Sequence, residues 1–285
     1  VLTFNLSYLI NGLKYSLPLI PHAMGTIIFF YSDKIILEKF VSISAIGFYS
    51  IGEKISRVLK KIVTSSNNAL LPVFMKESTK DIDKARLMFK KIIPQWFVVI
   101  SIIYIAIIFF TEEIIKILTP VQYHEAYLVV PILSTGFIFR GFYSFAVNPL
   151  FFLKKTKIIP IITITTGILN IILNIGLIPY YGIYAASGTT LFSFILSFIF
   201  AYIFSKKYYE IVFDWITILK ICLPMFLSVI ILPYIYNYDP LVKFLLKFLI
   251  FIIAIIYNYI YDFSDLKIVI NNYKKNSIKS SNLIG

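Results

Sequence analysis

Cysteine is almost absent: Cys222 stands alone in 285 residues, so no internal disulfide can cross-link this chain. It lies in an apolar run, where a buried thiol serves as a small hydrophobe. Charge is scarce too. Asp, Glu, Lys and Arg make up 14% of the sequence, against about a quarter in an ordinary soluble domain. Acids are the rarer sign, 14 against 27 basic residues. Two histidines, His22 and His124, give no metal-ligand spacing, and no glycine-rich phosphate loop or catalytic triad is visible. No cofactor, metal or catalytic residue is therefore expected, and the chain is not read as an enzyme.

What fills the space is hydrocarbon. The sequence is 59% hydrophobic and 18% aromatic, with mean hydropathy +0.85. "IIPQWFVVISIIYIAIIFF", Ile92 to Phe110, contains no charge at all. A helix of roughly 20 such residues crosses a hydrocarbon core of about 30 Å. Only a helix satisfies its own backbone in lipid without closing into a barrel. The expected fold is an all-α integral membrane protein with about eight spans, at 16–37, 48–73, 92–111, 127–152, 158–178, 183–205, 216–236 and 241–261. "MKESTKDIDKARLMFKK", Met75 to Lys91, reads as the longest polar connection.

The net charge of +13 invites a nucleic-acid reading, but loop asymmetry explains it better. With both termini in the cytoplasm, 17 basic residues fall on the cytoplasmic side of the eight spans and 5 on the other. That bias is the positive-inside pattern, and no nucleic-acid partner is expected. Lys243 and Lys247, four apart and high in the last span, are expected to snorkel or to meet lipid headgroups.

Five cations remain: Lys54, Arg57, Lys60, Lys61 and Arg140. Four of them lie in the second span. At about 100° per residue, Glu53, Arg57, Lys60, Thr64 and Asn68 share a narrow arc, flanked by Lys54, Lys61 and Ser50. Ile51, Ile55, Val58, Leu59, Ile62 and Val63 form the opposite, oily face. Ionisable residues at membrane depth face a bundle interior or a wet cavity and mark function. A flat interfacial helix fits the stripe as well, but it would put Met75 to Lys91 on the wrong side. Four or five cations with one carboxylate suit a phosphorylated anion, with Arg as a bidentate ligand and Lys as a point charge. Arg140, near the middle of its span, is a second cavity candidate. Asp33, near the outer end of its span, reads equally as a surface ion pair, a helix cap or a gate. His22 is read as a packed polar residue, and His124 as part of an outer loop.

At these residues the chain resembles a known family. "LKYSLPLIPHAMGTIIFFYSDKIILEKFVSISAIGFYSIGEKI", Leu13 to Ile55, is similar to the start of the second half of polysaccharide-repeat flippases of the multidrug/oligosaccharidyl-lipid/polysaccharide exporter superfamily. Asp33, Lys34, Gly47 and Tyr49 carry the match. "TPVQYHEAYLVVPILSTGFIFRGFY" resembles the family's Tyr-x-x-Ala segment and Pro-Ile-Leu helix. "LNIILNIGLIPYYGIYAASGTT", Leu169 to Thr190, is the strongest stretch, with Asn170 and Asn174 four apart before Pro179, Gly182, Ala185 and Ala186. Asn170 and Asn174 share a face with Thr163, Thr166 and Gly167, a seam for helix packing. Pro179 and Gly182 make a tight outer turn.

The resemblance implies two six-helix lobes around a cavity open alternately to either side, often with two extra C-terminal helices. Residues 1–15 are then an amphipathic cytoplasmic lead-in, 16–205 the second lobe, 206–261 the extra pair and 262–285 a cytoplasmic polar tail. Beginning at Val1, the sequence is expected to be part of a longer carrier, with an N-terminal six-helix lobe as its missing partner. The implied function is to flip polyprenyl-diphosphate-linked oligosaccharide repeats from the cytoplasmic to the outer leaflet of the cell membrane, for O-antigen, capsule or exopolysaccharide. The partners it implies are the lipid-linked glycan, membrane lipid, and a polymerase and chain-length regulator of the same pathway. The implied site is Arg57, Lys60, Lys61, Lys54 and Arg140 for diphosphate and glycan, with Glu53 and Asp33 for ion coupling or gating. Alternatives are a drug antiporter of the same superfamily, which like-charge repulsion opposes, a membrane glycan polymerase or ligase, and a non-functional half-protein.

The charge bias places Thr79 in the cytoplasm and Tyr181 outside. With Cys222 replaced, an impermeant thiol reagent on intact cells should label Tyr181→Cys and spare Thr79→Cys. Labelling of Thr79→Cys alone contradicts the orientation.

Overall fold

Long apolar runs leave the backbone no partner but itself, and among the described residues every regular element is helical. The computed structural model describes residues 6–17 and 19–259, without the side chains of 8, 9, 11, 15 and 27–30. The polar tail expected at 262–285 lies outside the described residues. The elements are α1 (Leu6–Ser16), α2 (Leu19–Phe40), α3 (Ile43–Lys80), α4 (Ile82–Leu118), a 3-10 segment (Val121–Val129), α5 (Val130–Phe152), α6 (Ile158–Lys206) and α7 (Trp215–Ile235). α8 (Pro240–Tyr259) follows. Among the described residues, five helical stretches are long and apolar enough to cross a membrane: α4, Val121–Phe152, α6, α7 and α8.

The 49 residues of α6 would measure roughly 74 Å if straight, more than twice the hydrocarbon core of about 30 Å. The helix breaks at Gly182, where φ is 53° and ψ is −130°. Two limbs result, 158–181 and 183–206, close to the two spans expected there. The break is local chemistry: a residue with a Cβ resists that backbone, and glycine does not.

The connection expected over Met75 to Lys91 is instead helical except at one residue. α3 and α4 are joined by Asp81 alone, which is extended at φ −159° and ψ 111°. Its Oδ1 accepts from the backbone N–H of Asp83 at 3.0 Å and of Lys84 at 3.1 Å, a helix N-cap. The Lys84 amide draws the Asp81 carboxyl below the ordinary carboxylate range. Lys80–Glu77 at 2.9 Å and Arg86–Asp83 at 3.2 Å are ion pairs three residues apart, and such pairs support helix in water. Polar composition here signals helix ends, not a loop. His124 likewise falls in the 3-10 segment.

The chain divides into two compact units that do not follow sequence order. The first comprises Val1–Arg86 and Thr111–Ile211, the second Leu87–Phe110 and Val212–Gly285. In the first, α2 and α5 pack on α6, and α3 packs on α5. Leu37, Tyr49, Val129, Leu133, Ile178 and Ala186 form a buried cluster among them. Close approach is enforced at Gly52 of α3, where a Cβ would lie 2.8 Å from the Ala126 carbonyl oxygen.

In the second unit, the middle of α4 contacts α7 and α8. Ser101 Oγ donates to the Ile221 carbonyl at 3.3 Å, and Asn258 Nδ2 donates to Ser101 Oγ at 3.3 Å. The Phe110 ring meets Phe251 edge-on at 5.8 Å. Cys222 is buried. Lys247 departs from the snorkelling expectation: it is fully buried, with its ammonium 5.4 Å from the centre of the Tyr236 ring. An aromatic face offers a buried ammonium electrostatic compensation that hydrocarbon does not.

Gly182→Ala should cost on the order of 1–3 kcal/mol through its backbone. It should lower the thermal midpoint of the detergent-solubilised protein by a few degrees. Gly176→Ala, in the same helix with no neighbour within 4 Å of the new Cβ, should leave the midpoint level or raise it. Equal effects of the two substitutions contradict the assigned turn.

Candidate functional site

α2 turns Ser32 and Asp33 inward, and both are buried. Asp33 is not at a surface or a helix end, as its place in the sequence implied. It is 4% exposed and accepts three hydrogen bonds. Tyr49 Oη of α3 donates to Oδ2 at 2.8 Å, Thr190 Oγ1 of the second α6 limb donates to Oδ2 at 2.7 Å, and Asn174 Nδ2 of the first limb donates to Oδ1 at 2.7 Å. Asn174 Nδ2 also donates to Asn170 Oδ1 at 3.1 Å, and Thr189 Oγ1 donates to Asn174 Oδ1. Ser32 Oγ donates to Asn170 Oδ1 at 3.4 Å. A carboxylate stripped of water needs such donors, and here they come from α3 and both limbs of α6. The Gly182 turn folds the second limb back so that Thr189 and Thr190 meet Asn174 and Asp33.

One turn along α3 from Tyr49 stands another buried carboxylate, Glu53. Its Oε2 pairs with Lys34 Nζ of α2 at 2.9 Å. Its Oε1 accepts from Arg57 Nε at 3.0 Å and from the Arg57 NH2 nitrogen at 2.7 Å. Glu53 is 5% exposed, so two cations bracket one buried anion.

Beyond this triad, α3 turns a wall of cations to a cleft. The cleft has a volume of about 810 Å³ and is lined by Lys54, Arg57, Lys60 and Lys61 of α3, with Arg140 of α5 and Thr26 and Tyr31 of α2. Lys60 Nζ sits 6.0 Å from the Phe137 ring centre, and the Arg140 guanidinium sits 4.6 Å from that of Tyr143. Among the described residues, Lys54, Lys61 and Arg140 have no acidic partner within 4.0 Å. Close by, His22 Nδ1 lies 2.6 Å from Thr163 Oγ1.

The five sequence-derived cations thus share one cleft, while Glu53 lies behind it and Asp33 is in a separate buried network. One side of the helical arithmetic needs correction. Val58, placed on the oily face, is 51% exposed and lines the cleft beside the cations. Leu59 and Val63 are buried, but so are Glu53 and Ser56. The Ser56 hydroxyl bonds the Gly52 carbonyl at 2.9 Å, so a polar residue faces the packed side at little cost. Asn67 and Asn148 join α3 to α5, Asn148 Nδ2 donating to Asn67 Oδ1 at 3.0 Å. Sequence reasoning missed the partners: Lys34 for Glu53, and Thr189 and Thr190 for the Asn and Asp network. The signal for the second pair was the run of small hydroxyl residues at helical spacing, Ser187, Thr190, Ser193 and Ser197.

Asp33→Ala leaves three buried donors unpaired, each costing about 1–3 kcal/mol. It should sharply lower the thermal midpoint in detergent or abolish the folded peak in gel filtration. Asp33→Asn keeps an acceptor oxygen and should fall between Asp33→Ala and the parent. A parent-like Asp33→Ala contradicts the network's structural weight.

Residues 2–78, which contain α2, Glu53 and the cationic stretch of α3, match the polysaccharide biosynthesis protein family. The chain is also 26% identical over 261 residues, 90% of its length, to an uncharacterized membrane protein of Methanocaldococcus jannaschii. It spans about half the length of that curated relative, 50% of it being covered. No solved structure matches the chain. Composition and helical fold make this an all-helical membrane protein, and its similarity to the polysaccharide biosynthesis protein family lies in the 77 residues that include the cationic stretch of α3.

Proposed function

We propose that this chain is half of a flippase for polyprenyl-diphosphate-linked oligosaccharide repeats. It carries them from the cytoplasmic to the outer leaflet of the cell membrane for surface polysaccharide synthesis. The single observation that carries the reading is the cleft itself, with five cations around about 810 Å³. A Lys or Arg at the centre of a membrane helix costs about 2.5–3.5 kcal/mol on insertion scales. Four of them on one helix are retained only against water or an anion. A diphosphate ester supplies the anion, and Arg57 and Arg140 supply planar forks for its oxygens. The glycan needs a wet groove, and the polyprenyl tail stays in lipid.

In this reading the chain performs no covalent chemistry. A second six-helix lobe faces the cleft, and rocking of the lobes opens it to either side. Both termini lie in the cytoplasm, where the basic loops gather. The half-length match to its relative supports a two-part carrier. Substrate flux or an ion gradient supplies the drive.

The test is export of surface glycan in a flippase-deficient strain complemented with the full carrier containing this chain. Arg57→Ala/Lys60→Ala should abolish export at unchanged protein level, and Lys60→Arg should be milder because the charge persists. Normal export by the double variant would overturn the reading.

A further inference from the structure

We propose that Glu53 is a resident counter-anion that holds Arg57 until a diphosphate takes its place, and that Lys34 makes the exchange possible. The inference rests on the diphosphate reading of the cleft and assigns a positioning role within it. Arg57 lines the cleft, and its side chain is 41% exposed. Yet two of its nitrogens, Nε and one terminal nitrogen, are committed to Glu53 Oε1. A guanidinium in that geometry offers a ligand only its remaining edge. A phosphoryl group that takes the side edge, through Nε and the adjacent terminal nitrogen, displaces the carboxylate from it.

Letting go would ordinarily strand a buried anion, which is strongly unfavourable. Glu53 avoids this because its other oxygen, Oε2, is paired with Lys34 Nζ at 2.9 Å. Lys34 comes from α2, so it stays when the α3 side chain swings. Glu53 therefore has one permanent cation and one transferable cation. Arg57 correspondingly has two anionic partners, Glu53 in the empty cleft and the ligand in the occupied one. The remaining cations of the cleft, Lys54, Lys60, Lys61 and Arg140, favour the transfer by attracting the ligand's charge. Two consequences follow. The empty cleft does not present Arg57 to any passing anion. Release of the ligand is assisted, because Glu53 recaptures the guanidinium.

The experiment measures binding of farnesyl diphosphate to the purified full chain in detergent by isothermal titration. Glu53→Gln removes the competitor and should tighten binding roughly three- to tenfold, the range of typical contact couplings. Lys34→Met leaves Glu53 with Arg57 alone, and should weaken binding by a similar factor. Both effects must pass through their intermediaries. Glu53→Gln should give no tightening in an Arg57→Ala background, and Lys34→Met no weakening in a Glu53→Gln background. A merely structural ion-pair triad predicts that both single variants weaken binding, which overturns the exchange. A general field effect predicts tightening that persists without Arg57, which also overturns it. If Arg57→Ala binds the probe as the parent does, the diphosphate reading itself falls and the exchange with it.

Discussion

Asp33 and Glu53, buried carboxylates in a mostly apolar helical protein, must gather their own solvation, and the helices of the first unit that hold them are arranged around how they do it. Asp33 takes hydrogen bonds from Tyr49, Asn174 and Thr190, and so fixes α2 against α3 and both limbs of α6. Glu53 takes Lys34 and Arg57 instead. Each unpaired group would cost more than a typical side-chain contact returns. The partners therefore determine which helix faces meet. Gly182 serves the same end, because only a sharp reversal brings Thr190 to the carboxylate that Asn174 already holds.

The two networks divide the labour. Around Asp33 donors from α3 and both limbs of α6 converge on one carboxylate of α2 and tie these elements together. Around Glu53 one partner is shared: Arg57 reaches both the carboxylate and the cleft. α3 is thus anchored by its buried face and polar toward the cavity. Gly52 and Ser56 let that face approach the 3-10 segment and α5 closely. A helix carrying four cations is held where hydrophobic burial alone would not hold it. This is how a segment too polar to qualify as an apolar span remains part of a membrane protein.

Much of this was legible in the sequence, and the failures have physical causes. Arg57, Lys60 and Arg140 stood out because charge in an apolar context is rare and costly. The turn at Gly182 was legible from Pro179 and Gly182 together. Asp33 was not, because its three donors lie 16, 141 and 157 residues away. Burial produced by distant partners leaves no local pattern. Val58 was misplaced because ideal helix geometry assigns a direction but not a neighbour. Thr26, Tyr31 and Arg140, from other helices, set the edge of the cleft. The α3–α4 junction looked like a loop because its composition is polar, whereas the Asp81 cap and short-range ion pairs sustain helix there.

The central claim, that the cationic cleft receives the diphosphate of a lipid-linked glycan, is tested most directly by photocrosslinking. A benzophenone amino acid is placed at Val58, which is exposed in the cleft, or at Ile172 of α6, which is 58% exposed and does not line the cleft. The full carrier is then irradiated in membranes containing radiolabelled polyprenyl-diphosphate-linked oligosaccharide. A radiolabelled adduct at Val58, suppressed by excess unlabelled substrate and absent at Ile172, is the result expected. Equal labelling at both positions, or labelling at Ile172 alone, would contradict a diphosphate site in the cleft.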